Sequence, residues 1–269
     1  MSMSAPTLKR FPEAGMKAAS VVSAYMLQAA RPLFWHIGVM NDGVLRGAST
    51  FILQFADRHV AVTADHVIAQ YLEALAADER TLCQIGLARV WPERALIDRS
   101  AKLDIATFEV DPERLPQMGA VAFDCRHDWP PPETAVGDTL TLAGYLDLRR
   151  NKLGKGHYEM EAWGAHGIAD GVSDREIVTV YDAERTFAAD GVAKPPLGYN
   201  MSGCSGGPVI VLKVLNGLMR WFPVGFIYKG PDGNAEGEFT TFDRIHIRKL
   251  HFIQPDGTIR EPETGWLPT

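Results

Sequence analysis

Apolar residues first recur at helical spacing. Met16, Ala19, Val22 and Met26 fall on one face of a stretch from Pro12 to about Ala30. Pro12 suits a first turn, Glu13 lies at the positive end of the helix dipole, and Pro32 ends the run. The pattern predicts a helix docked on a domain surface, preceded by a disordered lead over residues 1–11. A segment that binds a partner or inhibits a site is the sharper alternative for the same stretch. Beyond Phe34 the period shortens to that of strands. Trp35–Met40 leads into the turn Asn41-Asp42-Gly43. Then Ala48–Phe55, His59–Thr63, Leu82–Val90, Asp104–Val110, Thr139–Tyr145, Tyr158–Gly167, Ile177–Asp182, Val209–Val214 and Met219–Tyr228 follow as short apolar runs between turn residues. Two helices interrupt the series: Ala64–Leu75, with Asp65 near its start, and a short one capped by Asp243 and reaching about Leu250. Pro112, Pro116 and Pro130-Pro131-Pro132 mark loops, Lys229–Gly237 is a glycine-rich loop, and Pro255–Thr269 reads as an extended tail. Many short strands without sustained strand–helix alternation point to an all-β antiparallel barrel or sandwich. The Pro130–Pro132 run reads as the link between two halves of similar size.

Composition narrows the picture. The 269 residues suffice for one large domain or two small ones, and 46% hydrophobic with 22% charged residues is ordinary for a soluble globular protein. A net charge of −6 disfavours nonspecific nucleic-acid binding. No apolar run approaches the ~20 residues that span a bilayer. Lys9, Arg10 and Lys17 are followed by interrupted alanine-rich sequence, not by the compact apolar block of a signal peptide. Cys83, Cys125 and Cys204 are odd in number and far apart, which points away from a disulfide framework and toward a reducing, cytoplasmic setting. The eight histidines show no metal-ligand spacing, so neither metal nor cofactor is expected.

The candidate chemistry lies at Gly203-Cys204-Ser205-Gly206-Gly207-Pro208, a tight turn entering the strand Val209-Ile210-Val211-Leu212. Glycines there let backbone N–H groups turn toward a ligand, and a serine hydroxyl becomes nucleophilic once a base takes its proton. Two upstream stretches supply partners. Ala61-Val62-Thr63-Ala64-Asp65-His66 ends a strand on a histidine, and Leu103-Asp104-Ile105-Ala106 sets an acid just before another strand. Taken singly, each is more often structural: an exposed or packed histidine, a turn-forming aspartate, a loop serine. Their joint presence makes the case.

These three segments resemble the signatures of the trypsin-like, chymotrypsin-fold serine peptidases. His66, Asp104 and Ser205 stand in that family's order, 38 and 101 residues apart. Gly47-Ala48-Ser49-Thr50-Phe51, Val136-Gly137-Asp138 and Gly144-Tyr145 add weaker likenesses, and the resemblance covers about residues 35–252. It implies two antiparallel six-stranded β-barrels, about 34–128 and about 133–243, and a short C-terminal helix over about 243–251. Together these make a peptidase domain over 34–254, with an N-terminal extension and helix over 1–33 and a tail over 255–269. It implies Ser205 as nucleophile, His66 as general base and acid, Asp104 as orienting carboxylate, and the N–H groups of Gly203 and Ser205 as oxyanion hole. The pocket would have its base around Tyr199 and Asn200 and a wall at Phe226, Ile227 and Tyr228. No acid stands at that base, so an apolar or uncharged side chain is the expected preference.

Cys204 replaces an acidic or amide residue common in relatives, and Asp65 stands where a small residue is common. No activation-cleavage motif is present. The expected partners are a protein or peptide substrate, cleaved in limited fashion, and an activating or regulatory protein for a latent form. Nucleic acid and membrane are not expected. A binding module on a protease fold, silent or partner-activated, is the alternative from another class. Gly203-Cys204-Ser205-Gly206-Gly207 also fits the nucleophile elbow of α/β-hydrolases, with Asp232, Asp243, His246 and His251 downstream. Pro208 and the β-branched run after it argue against that elbow. The Cys204 thiol as nucleophile is the last alternative.

Overall fold

Short β-branched runs pair wherever turn residues let the chain reverse, and here they do so twice over. A computed structural model of the protein describes residues 13–37, 44–154, 157–181, 185–188, 200–231 and 244–262. The first half forms β1 (Arg31–Ile37), β2 (Val44–Gln54), β3 (His59–Thr63), β4 (Leu82–Ile85), β5 (Ala88–Val90), β6 (Leu96–Ser100), β7 (Ile105–Val110) and β8 (Phe123–Asp124). The second forms β9 (Thr139–Gly154), β10 (His157–Ile168), β11 (Gly171–Val172), β12 (Glu176–Val180), β13 (Thr186–Ala188), β14 (Pro208–Leu215), β15 (Leu218–Lys229) and β16 (Arg244–Lys249). The first sheet runs β5-β4-β1-β2-β3-β7-β6, with β8 beside β2 in parallel; the second runs β11-β12-β16-β15-β14-β9-β10-β13. Both curl into half-barrels of otherwise antiparallel strands. The protein is all-β, as the strand pattern predicts. Among the described residues each sheet has eight strands where six were expected, because the two- and three-residue pieces β5, β8, β11 and β13 add to it.

Burial explains why several strands read as unbroken apolar runs. In β14, Val209 and Val211 lie in the core of the second sheet, while Ile210 lies in the core that fills the first. Ala143 of β9 and Phe226 of β15 also face the first core, so the second sheet closes that core from one side. A strand covered on both faces loses its alternation.

Helix α1 (Glu13–Ala29) appears where the spacing predicts it, with Val22, Met26 and Ala29 buried. It lies against both halves. Tyr25 packs on Phe123 and Trp221 and donates its hydroxyl to the Ala122 carbonyl, while Ser23 Oγ hydrogen-bonds His166 Nε2 at 3.1 Å. Helix α2 (Asp65–Ala77) follows β3 directly. The chain crosses between sheets over residues 125–138, which contain Pro130–Pro132. Among the described residues, no helix is long and apolar enough to cross a membrane.

Four expectations need correction. The 82–90 run splits into β4 and β5 at Gly86, whose φ of +55° turns the chain; a Cβ there would sit 2.4 Å from the Met118 carbonyl oxygen. Residues 96–100 form β6, whose partly exposed residues carry no clear apolar signal. The short C-terminal helix is a strand, β16: Ile245 and Ile247 are buried at a period of two, and its ladder joins β12 and β15. Only a three-residue 3-10 turn, Leu250–Phe252, follows. The described part of the tail is no free extension either. Ile253 bridges Ile259, the Thr107 hydroxyl donates to the Gly257 carbonyl at 2.7 Å, and the Ile259 N–H donates to Asp98 at 2.8 Å. The turn at Asn41–Gly43, most of the 229–237 loop and the Asp243 cap lie outside the described residues.

Candidate active site

His66 is the second residue of α2, delivered by β3 to the mouth of the first sheet. Asp104 ends the turn between β6 and β7, where the Leu103 N–H donates to Ser100 Oγ at 3.1 Å. Its φ is +54°, a left-handed conformation that aspartate tolerates better than most side chains. This places the carboxylate on His66 twice. Oδ1 accepts from the His66 backbone N–H at 2.9 Å, and Nδ1 lies 2.9 Å from Oδ2 and 3.1 Å from Oδ1. An acceptor on that side favours the tautomer with the proton on Nδ1, leaving Nε2 as the basic nitrogen. Burial pushes the Asp104 carboxyl up, but the hydrogen bonds and charge of His66, together with the charge of Arg248, outweigh it. The net result is a value below the usual aspartate.

Asp65 does not act on the imidazole as a second acid. It is buried and paired with Arg99 of β6, Nε to Oδ1 at 2.6 Å and Nη2 to Oδ2 at 3.1 Å.

The Ser205 turn is held by backbone. The Cys204 N–H closes on the Met201 carbonyl at 3.0 Å, and the third residue of that turn, Gly203, has φ +93°. A type II turn requires such a φ there, and a Cβ would lie 2.4 Å from the Tyr145 oxygen. The Ser202 carbonyl accepts from the Asp147 N–H at 2.9 Å, and Ser202 Oγ donates to Asp147 Oδ2 at 2.7 Å. In a planar trans peptide the N–H opposes the C=O, so the Gly203 N–H points away from Asp147. Among the described residues, neither this N–H nor that of Ser205 has a protein acceptor.

Ser49 of β2 ties the turn to the first sheet. Its N–H donates to the Ser205 carbonyl at 2.8 Å, and its hydroxyl donates to the Gly203 carbonyl at 2.8 Å and accepts from the Tyr145 N–H at 2.9 Å. Gly206 sits so close that a Cβ would meet the Ser49 oxygen at 2.0 Å and Thr63 Oγ1 at 2.3 Å. Thr63 is three residues before His66, so the turn abuts the strand end that delivers the histidine. The structure thus brings His66 and Asp104 into direct contact and packs the Ser205 turn on the end of β3, three residues before His66. Among the described residues, the Ser205 hydroxyl makes no hydrogen bond, to His66 Nε2 or otherwise.

Cys204 is fully buried, and burial pushes its thiol far up, which makes it an inert packing group. Tyr199 lies outside the described residues. Asn200 is exposed and braces the turn, its Oδ1 accepting from the Ser202 N–H at 2.7 Å. Phe226 and Ile227 are corrected as pocket walls: their side chains fill the first and second cores, because β15 is covered on both faces. Tyr228 is partly open, with the Arg248 guanidinium 4.3 Å from its ring centroid and its hydroxyl bonded to Glu176. Of the residues that an elbow reading would use, His246 Nδ1 pairs with Glu176 at 3.3 Å and His251 packs on Phe252; Asp232 and Asp243 lie outside the described residues. No three metal-ligating side chains converge among the described residues.

Ser49, Thr63, Asp147, Arg99 and Arg248 support this region, and none of them was given a role from the sequence. Ser49 carried a partial signal, a polar residue beside Thr50 in the otherwise largely apolar run Ala48–Phe55. Arg99 and Asp147 show none for these contacts, since Asp65 and Ser202 lie 34 and 55 residues from them.

No protein-family model matches the chain, and no curated protein matches it. Solved structures are similar only at a distance. The thermostable serine protease AL20 from an extremophilic microorganism aligns with a TM-score of 0.42 and 13% identity, over 82% of this chain and 90% of that one. The active form of the Rv3671c protease of M. tuberculosis gives 0.42 and 12%, over 93% and 90%. A structure from work on coupled folding and binding of the intrinsically disordered VPg protein of Sesbania mosaic virus gives 0.40 and 11%, over 84% and 93%. Likeness at this level assigns neither a family nor a chemistry to the chain.

Proposed function

We propose that the chain is a serine endopeptidase. The observation that carries this reading is the His66–Asp104 pair, with Nδ1 engaged on the carboxylate, together with a serine turn packed on Thr63 whose Gly203 and Ser205 N–H groups have no acceptor among the described residues. In the proposed reaction, His66 Nε2 takes the proton of the Ser205 hydroxyl as Oγ attacks the substrate carbonyl. Asp104 stabilises the imidazolium that forms. The carbonyl electrons move onto oxygen, which the two N–H groups receive; one such donor is worth ~3 kcal/mol in a transition state. The tetrahedral species collapses, the amine leaves with the proton from His66, and an acyl-Ser205 remains. Water, deprotonated by His66, then releases the acid product. We place the substrate among proteins cut at few sites, in the cytoplasm. An uncharged or apolar side chain before the cut is the preference proposed, and a peptide library yielding only basic residues there would overturn it.

A fluorophosphonate probe tests the reading, since it reacts with an activated serine. Labelling of the intact chain, lost in Ser205→Ala and in His66→Ala, is the expected result. Ser205→Ala would lower kcat by ~10⁴–10⁶. The absence of any hydrogen bond from the Ser205 hydroxyl to His66 favours a second reading, a latent or silent binding module. Labelling only in the presence of a partner protein would favour the latent form, and no labelling with or without one would favour the silent module.

A further inference from the structure

We infer that the cleft between β1, the 115–119 turn and the β9–β10 arm is a binding site for a small amphipathic monocarboxylate. The cleft holds about 480 Å³, within the range of small-molecule sites, and lies outside the His66–Asp104 region. Its lining is mainly apolar, including Phe34, Leu87, Met118 and Met160, with the aromatic residues Tyr145 and Tyr158. Among the described residues that line it, one is a cation, Arg31. Nη1 donates to the Tyr145 hydroxyl at 3.3 Å, and among the described residues Nε is buried without a partner. Among the described residues, no carboxylate lies within ion-pair distance of Arg31. The guanidinium lies beside Gly119, where a Cβ would make ordinary contact with Arg31 Cζ at 3.8 Å.

A guanidinium presents a flat fork that matches a carboxylate with two parallel hydrogen bonds. Left unpaired at the rim of an apolar cleft, it is a charge that a ligand can complete. One cation balances one negative charge. A phosphate dianion would carry a second charge into an apolar lining and leave it uncompensated, so the carboxylate is the fitting anion. The apolar walls require that it be attached to an aromatic or aliphatic group. Tyr145 links the cleft to the serine turn, since its backbone carbonyl oxygen is the atom that a Cβ on Gly203 would strike. The proposal is independent of the catalytic reading.

The test uses full-length protein labelled at the methionine methyls and titrated with 4-phenylbutyrate, with its uncharged amide, and with inorganic phosphate. The acid is expected to shift Met118 and Met160, and the amide to bind at least about tenfold more weakly. Arg31→Gln is expected to weaken the acid about 10- to 100-fold. Equal binding of acid and amide, shifts confined to other methionines such as Met201, or phosphate binding as tightly as the acid would each overturn the proposal. The acid–amide comparison needs no variant, so it decides the matter even if Arg31→Gln does not fold. Arg31→Gln binding like the wild type would overturn it as well.

Discussion

Asp104 occupies a backbone conformation that few residues accept, and from it reaches both the backbone and the ring of His66. Asn tolerates the same left-handed φ, so Asp104→Asn isolates the charge from the turn. The folded carboxyl is held below the ordinary value of 3.8. Its stabilising contribution is therefore complete above that ordinary value and is lost as pH falls through the lower folded value. The wild type is expected to be more stable than Asp104→Asn at neutral pH, and the gap to close below about pH 4. Urea unfolding of both proteins across that range measures the gap; one that widened toward acid would contradict an ionised pair. Cys204 shows the opposite relation between letter and environment. A cysteine beside a candidate nucleophile invites a reactive reading, yet Gly144 leaves its Sγ room to pack, 3.3 Å from where a Cβ would be, and full burial keeps the thiol protonated.

Helix α2 carries an acid at its first position, where the helix dipole alone would favour one. Asp65 does more than that: it anchors the helix start to β6 through Arg99, one residue before the candidate base. Arg99→Met would leave the carboxylate buried and unpaired, at a cost of about 3 kcal/mol. The combination with Asp65→Asn is expected to recover part of that loss, which a double-mutant cycle of urea midpoints reads directly. Strand β16 shows why an element's type can be misread. Asp243 offers a helix cap and the run after it is short, so a helix is reasonable locally. Ile245 and Ile247 alternate instead, and β12 and β15 on either side provide the ladder that makes a strand the better solution.

Across the whole molecule, the two sheets share a core and a seam. Ile210 and Phe226 of the second sheet fill the first core, and Ser49 stitches β2 to both the serine turn and β9. Helix α1 clamps the outside of that seam, with Tyr25 on Phe123 of one half and Trp221 of the other. Met26 is fully buried beneath it. Met26→Ala is expected to cost about 2–4 kcal/mol, since a fully buried side chain in the first core leaves a cavity when truncated. Chemical unfolding followed by tryptophan fluorescence gives this value. A cost under about 1 kcal/mol would mean that α1 is only loosely applied.

Much was already legible in the amino-acid order. Strand and helix segments follow from apolar periodicity. The serine turn follows from glycines that the structure uses at φ +93° and +89°, and His66 and Asp104 stand at strand ends where a side chain can reach a cleft. These are local properties, set by backbone sterics and turn chemistry within a few residues. Tertiary structure alone decided the rest. It determined that Phe226 and Ile227 face cores and not a pocket, that Asp65 finds Arg99, that Ser49 braces the turn, and that residues 253–260 fold back onto β6 and β7. Each of these depends on what lies across a strand or a seam, and a partner 34 or 154 residues away leaves no mark on the local pattern.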